Sequence, residues 1–221
     1  MNKKERIEGI TGWFRENRPD AEAELRFENP FQLLVAVMLS AQCTDKRVNM
    51  VTPPLFARFP DAASMAASSP QEIFEYIKSV SYPNSKAAHL HGAATRITEC
   101  FGGEVPSDRE GLESLPGVGR KSAGVLLAIL FSEPVVPVDT HVFRVARRLG
   151  LSRGKTPLAV EKDLTAAIAP AERGKAHHWL ILHGRYICTA RNPKCPECGI
   201  SPWCLEHGRR EKRGAKQRDS K

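Results

Sequence analysis

The strongest constraint on this chain lies close to its C-terminus, where Cys188, Cys195, Cys198 and Cys204 follow one another as Cys-x6-Cys-x2-Cys-x5-Cys. Thiols clustered this tightly point to a metal site. A cubane [4Fe–4S] cluster can be held by four thiolates from a short irregular loop that needs no large fold of its own. Structural zinc also takes four cysteines, but as two short Cys-x2-4-Cys knuckles, and here only Cys195 and Cys198 make such a pair. The spacing favours iron–sulfur, leaves zinc open, and puts a disulfide third.

No apolar run reaches the length of a membrane span, and the opening MNKKERIEGITGWF is a charged amphipathic segment without a signal-peptide core. A cytoplasmic protein with no membrane partner is expected. Thiols stay reduced there, which suits a metal site, and Cys43 and Cys100 read as small buried residues of helices. A chain of 221 residues can bury one large core or two small ones.

The formal charge is +8, and its distribution says more than its sum. From Arg209 to Lys221, seven basic residues stand against Glu211 and Asp219, so this stretch carries +5 by itself. It has too few apolar residues to anchor it, which predicts a disordered basic tail over 209–221 that adds phosphate attraction or solubility. The mildly basic remainder permits a nucleic-acid partner without requiring one.

Periodicity predicts an all-α fold, with no convincing alternating strands. Asn29-Pro30 supplies a cap and an N1 proline ahead of the apolar stretch FQLLVAVML, the expected central buried helix. Ser69-Pro70-Gln71-Glu72 and Ser107-Asp108-Arg109-Glu110 read as capping boxes. Gly102-Gly103 and Gly150 close helices, Thr156-Pro157 opens another, and a last long helix over about 175–187 leads into the cysteine loop.

Between the short segment REGLESL and the apolar helix SAGVLLAILF stands Leu115-Pro116-Gly117-Val118-Gly119-Arg120-Lys121. Two glycines around one apolar residue make a tight hairpin and leave backbone N–H groups exposed at the next helix start. Gly117 and Gly119 let a DNA backbone approach, and a helix N-terminus attracts its phosphates, so a helix–hairpin–helix DNA contact is expected over 115–121. Lys121 then sits in a helix first turn beside Arg120, where both neighbouring positive influences favour a neutral, nucleophilic amine. Eighteen residues later, Val138-Asp139-Thr140-His141 offers a carboxylate at a helix start, where Asp139 also reads as an N-cap.

These words, with Met38-Leu39-Ser40-Ala41-Gln42, Thr44-Asp45, Asn84-Ser85-Lys86-Ala87, VDTHVFRV and HHWLILHGRY, make the chain resemble the endonuclease III family. These are bifunctional DNA glycosylases and apurinic/apyrimidinic lyases of base-excision repair. The likeness runs from the N-terminal helix to Cys204. It implies the helix–hairpin–helix glycosylase fold in two helical domains: a bundle over 23–134 carrying the hairpin, and a discontinuous domain of 1–22 with 135–208 around the iron–sulfur loop. It also implies Lys121 as nucleophile, Asp139 as catalytic carboxylate, and a [4Fe–4S] cofactor on Cys188, Cys195, Cys198 and Cys204. The implied partner is damaged double-stranded DNA, engaged by a monomer that is nucleoid-associated in a prokaryote. The implied substrates are oxidised pyrimidines, flipped out of the duplex because C1′ is unreachable in the stack. Arg191 and Lys194, in the first loop between cysteines, are placed to meet phosphates.

The chain departs from the family pattern at several points. Val80-Ser81-Tyr82-Pro83-Asn84 replaces a glycine-containing word, which makes Tyr82 the candidate wedge in the gap left by a flipped base, with Gln42 touching the orphaned partner from the opposite side. Ser122-Ala123-Gly124 leans toward the adenine-DNA glycosylase branch. That branch normally lacks the hairpin lysine and carries a glutamate where this chain has Ala36-Val37-Met38. A non-catalytic iron–sulfur DNA-binding protein, with Lys121 merely on phosphate, is the other alternative. His177 and His178, adjacent on a helix, read as packing or surface residues.

Overall fold

The computed structural model describes residues 1–22 and 24–218, and among them every regular element is helical. The α-helices are α1 Lys3–Asn17, α2 Pro30–Ser40, α3 Asp45–Arg58, α4 Ala62–Ala66, α5 Pro70–Ile77, α6 Pro83–Cys100, α7 Arg109–Glu113, α8 Arg120–Leu130, α9 Thr140–Leu149, α10 Pro157–Ala167, α11 Arg173–Tyr186 and α12 Leu205–Arg218. The chain divides into two compact units, Ala23–Glu133 and the paired ends Met1–Glu22 with Pro134–Lys221.

In the unit Ala23–Glu133, α2 is the axis. Asn29 accepts the Gln32 amide at 2.9 Å and Pro30 takes the first helical position, so the helix starts where the sequence predicts. Residues 31–39 are all buried, and α2 packs against α3, α6 and α8. Each large apolar side chain removed from water contributes about 1.5–3 kcal/mol. Helices α4 and α5 lie on α6, and α7 lies on α8. Helix α3 continues through Pro53 and Pro54, which deny it two amide donors. The Thr44 cap and the buried Val48, Val51 and Leu55 hold it. At the start of α7 the cap is Asp108, accepting from Gly111 N at 2.8 Å, one residue later than the box expected at Ser107. Cys43 is only half-buried and Cys100 is exposed, against the expectation of burial, because Cys100 ends α6 on its outer face.

In the other unit, α9 packs against α10, α11 and α12, and α1 lies on a short turn at Ser201–Trp203. Phe14 of α1 stacks on Trp179 of α11 at 5.7 Å between centroids. Gly9 faces the Trp203 indole and Gly199 faces the Trp13 indole so closely that a Cβ at either glycine would overlap the ring. The N-terminal helix is thereby seated on the cysteine loop. The tail expected to be disordered from Arg209 instead continues α12 to Arg218, and residues 219–221 lie outside the described residues. The backbone reason is local. Glu206 pairs with Arg210 at 3.2 Å and His207 with Glu211 at 3.7 Å, each one helical turn apart, and Lys, Arg, Gln, Glu and Ala are good helix formers.

Candidate active site and cysteine centre

The hairpin expected from the glycines is present in the unit Ala23–Glu133. Val118 N donates to Leu115 O at 3.0 Å, closing the turn between α7 and α8, and the apolar Leu115 and Val118 are buried beneath it. The two glycines do different work. Gly117 has φ +82°, and a Cβ there would meet His89 Cβ at 2.8 Å, so α6 leaves no room for a side chain. Gly119 has an ordinary φ of −100° and nothing within 4 Å of a would-be Cβ. It is the N-cap of α8 and brings no side chain to cap the first turn. That turn carries Arg120 and Lys121, both exposed.

Gln42 and Tyr82, read from the sequence as two separate DNA-contact candidates, are brought together. Both are exposed, and both have φ +54°. A left-handed conformation costs a non-glycine residue about 1–2 kcal/mol, so such residues persist only where their surroundings hold them. Here Ser81 Oγ donates to Gln42 O at 2.6 Å. Lys86 is buried, and its Nζ donates to Leu39 O and Ala41 O, both at 2.7 Å. Burial pushes the Lys86 ammonium below the usual lysine range, and Cys43 partly offsets this. Tyr82 is itself the N-cap of α6, which begins at Pro83 ahead of the Asn84-Ser85 pair.

Asp139 belongs to the other unit and is the N-cap of α9. Its Oδ1 accepts from His141 N at 2.8 Å and Val142 N at 2.7 Å, while Oδ2 lies 3.2 Å from His141 Nδ1. The capping role read from the sequence is realised, with the second oxygen turned to His141. The backbone leading into Asp139 is held by His177, which is buried with Nδ1 2.8 Å from Pro137 O. A carbonyl only accepts, so this nitrogen carries the proton. His177 is thus a packing residue, as expected, with a polar anchor.

The four cysteines lie in the same unit as Asp139, at the end of α11 and in the irregular loop before α12. Burial pushes the Cys198 thiol up to about 11, and the charges of Cys204, Cys188 and Cys195 each add to the rise. Burial also raises Cys204, again with Cys188 and Cys195 adding to it. Four thiols gathered from the end of one helix and the irregular loop after it are the donor set that a cubane cluster takes, each thiolate binding one iron. Donors already face the sulfurs. His207 N lies 3.4 Å from Cys204 Sγ, and Arg148 NH1 lies 3.5 Å from Cys188 Sγ. Buried His183, whose Nε2 is 3.7 Å from Cys198 Sγ, is pushed down to about 4 by burial and by the Arg18 charge. Arg191 and Lys194 are exposed on the first loop.

A family model described as HhH-GPD superfamily base excision DNA repair protein matches residues 35–170. A second, the iron–sulfur binding domain of endonuclease III, matches residues 188–204, the span of the four cysteines. Endonuclease III of Escherichia coli K12 is 44% identical over 92% of this chain and 96% of its own length. That of Treponema pallidum is 44% identical over 86% of this chain and 90% of its own. A solved structure of a trapped endonuclease III–DNA covalent intermediate superposes with a TM-score of 0.89 at 40% identity, covering 96% of this chain and 100% of that one. The chain belongs to the endonuclease III family. It is a base-excision-repair DNA glycosylase with AP lyase activity, and its cofactor is a [4Fe–4S] cluster.

Several residues around the site in this endonuclease III chain escape sequence reasoning. Arg144 donates to Gly184 O at 2.8 Å and to Cys188 O at 3.2 Å. Arg148, one turn on, donates to Thr189 O at 2.6 Å and Ala190 O at 2.7 Å. Together they shape the loop that presents Arg191 and Lys194. Their i, i+4 spacing on α9 was visible, but their target lies about forty residues away in sequence. Lys86 reads as one more surface lysine until its burial is seen.

Proposed function

We propose that this endonuclease III protein excises oxidised pyrimidines from duplex DNA and cleaves the strand at the resulting abasic site, with Lys121 as nucleophile and Asp139 as catalytic carboxylate. The observation that carries this reading is the exposed Lys121 in the first turn of a helix whose N-cap is a bare glycine in open space. Such a helix start favours a bound phosphate, which would set the sugar of an extruded nucleotide at the amine. The neutral amine attacks C1′, the C1′–N bond breaks, and the base leaves with the bonding pair and takes up a proton. Asp139, held by its two backbone donors, is the carboxylate that supports deprotonation of the attacking amine and the positive charge developing on the sugar. The sugar ring then opens to an imine between C1′ and Lys121 Nζ. This acidifies the C2′ proton, and its removal expels the 3′ phosphate by β-elimination. Water hydrolyses the imine and frees the enzyme.

Cys188, Cys195, Cys198 and Cys204 would hold the cluster, which supplies four covalent cross-links to a loop with little core of its own. The excision steps balance without electron transfer. Gln42 and Tyr82 probe the base pair at the lesion, while the hairpin at Gly117, Gly119 and Arg120, with Arg191 and Lys194, meets phosphates. The protein acts as a monomer in the cytoplasm, on nucleoid DNA in a prokaryote. No described helix is long and apolar enough to cross a membrane. Borohydride should trap the wild-type protein on abasic DNA, and Lys121→Gln should abolish trapping, base release and strand cleavage while leaving DNA binding within a few-fold. Equal trapping by Lys121→Gln would place the nucleophile elsewhere.

A further inference from the structure

We propose that Lys86 is a positioning residue that locks the turns carrying Gln42 and Tyr82 into one rigid two-tipped element. Its consequence for repair rests on the reading above that these two residues probe DNA. The geometry is specific. Helix α2 ends at Ser40, and the carbonyls of Leu39 and Ala41 at its C-terminus have no helical partner to bond. Lys86, in the first turn of α6, reaches back 47 and 45 residues in sequence to satisfy both from a buried position. A cation at a helix C-terminus is favoured by the helix dipole, and its hydrogen bonds are charge-assisted.

The next residue after Ala41 is Gln42, and Tyr82 lies four residues before Lys86, in the turn that opens α6. Both tips are left-handed non-glycine residues, and among the described residues only Ser132 shares that conformation. A second clasp, Ser81 Oγ to Gln42 O at 2.6 Å, joins the tips directly. Backbone hydrogen bonds from Cys43 N to Ser40 O at 3.0 Å and from Lys86 N to Tyr82 O at 3.1 Å complete each turn. An exposed tyrosine and an exposed glutamine held in strained backbone would each relax if released singly. The buried ammonium ties both to the end of the central helix. The tips then reach a base pair already oriented, with no ordering required on contact.

The test compares wild-type holoprotein with Lys86→Met, Lys86→Arg and Ser81→Ala. Hydrogen exchange on the free protein should show both turns, residues 39–43 and 80–86, loosening together by roughly tenfold in Lys86→Met. Ser81→Ala, which leaves the buried contacts intact, should loosen the same two segments less. Lys86→Arg, which keeps donors and charge, should restore most of the protection. In single-turnover assays Lys86→Met should slow excision from a lesion in duplex DNA by roughly tenfold, and spare cleavage of an abasic site in single-stranded DNA. Tyr82→Ala should give the same split, and adding Lys86→Met to it should slow duplex excision little further.

Unchanged exchange in both Lys86→Met and Ser81→Ala, loosening of one turn without the other, or equal slowing on the two substrates would overturn the lock. If Tyr82→Ala and Gln42→Ala both leave duplex excision intact while the two turns still loosen together, the lock stands. The DNA role given to the tips then falls.

Discussion

The two hairpin glycines look alike in sequence, yet the structure separates their duties, and alanine at each should give opposite results. At Gly117 a methyl would be held at φ +82° and pressed to 2.8 Å from His89 Cβ, an atom fixed to the α6 backbone. The left-handed conformation costs about 1–2 kcal/mol and overpacking about 1–3 kcal/mol. Gly117→Ala should therefore lower Tm on the order of 10 °C in a chain of this size. At Gly119 the backbone suits any residue and the space is open. There the loss of glycine at an N-cap, a few tenths to about 1 kcal/mol, is offset by a less flexible unfolded chain, about 0.4–1 kcal/mol. The Tm of Gly119→Ala should stay within about 2 °C of wild type.

If the bare N-terminus of α8 receives a phosphate, that same methyl stands between the first-turn N–H groups and the anion. Losing one charge-assisted hydrogen bond, about 1.5–3 kcal/mol, weakens binding roughly tenfold to a hundredfold. Thermal unfolding, with fluorescence anisotropy on duplex DNA bearing a stable abasic analogue at one fixed salt concentration, measures both effects. Wild-type affinity in Gly119→Ala would refute the phosphate contact, and a large Tm loss there would refute the assignment of open space.

Asp139→Asn should slow base excision by orders of magnitude with Tm nearly unchanged, because Asn caps α9 about as well as Asp; retained turnover would reduce Asp139 to its capping role. Cys198→Ser should abolish the broad blue absorbance and the iron content, about four per chain in the wild type, with much of the soluble protein lost. An active, colourless preparation containing stoichiometric zinc after iron-replete anaerobic expression would sink the cluster assignment. Burial pushes His178 below the ordinary value of 6.5, with Glu22 opposing. As pH falls below 6.5 the unfolded chain therefore takes up a proton that the folded chain resists, and stability drops. His178→Gln should flatten the fall of Tm between about pH 7 and 5, and an unchanged slope would remove His178 from that account.

The sequence alone determined the elements and the chemistry available to them. The caps at Asn29 and Thr156 are local signals, carried by side chains that bond the backbone within a turn, and the closing Gly150 is another, carried by its left-handed backbone. The hairpin, the N-cap aspartate and the four-cysteine spacing were legible for the same reason, since each is a short contiguous word. The stretch 209–221, whose low hydrophobicity predicts disorder, is helical from Arg209 as far as Arg218, where helix propensity prevails. Only the tertiary structure decided that Gly117 is excluded from bearing a side chain by α6, that Arg144 and Arg148 bond the backbone around Cys188, and that Ser81, beside Tyr82, bonds Gln42 O. Each of these depends on groups about thirty to fifty residues apart, and a lysine such as Lys86 carries no mark of burial until the chain has folded around it. Local hydrogen bonding writes itself into adjacent residues, whereas desolvation and long-range contact exist only once the core has closed.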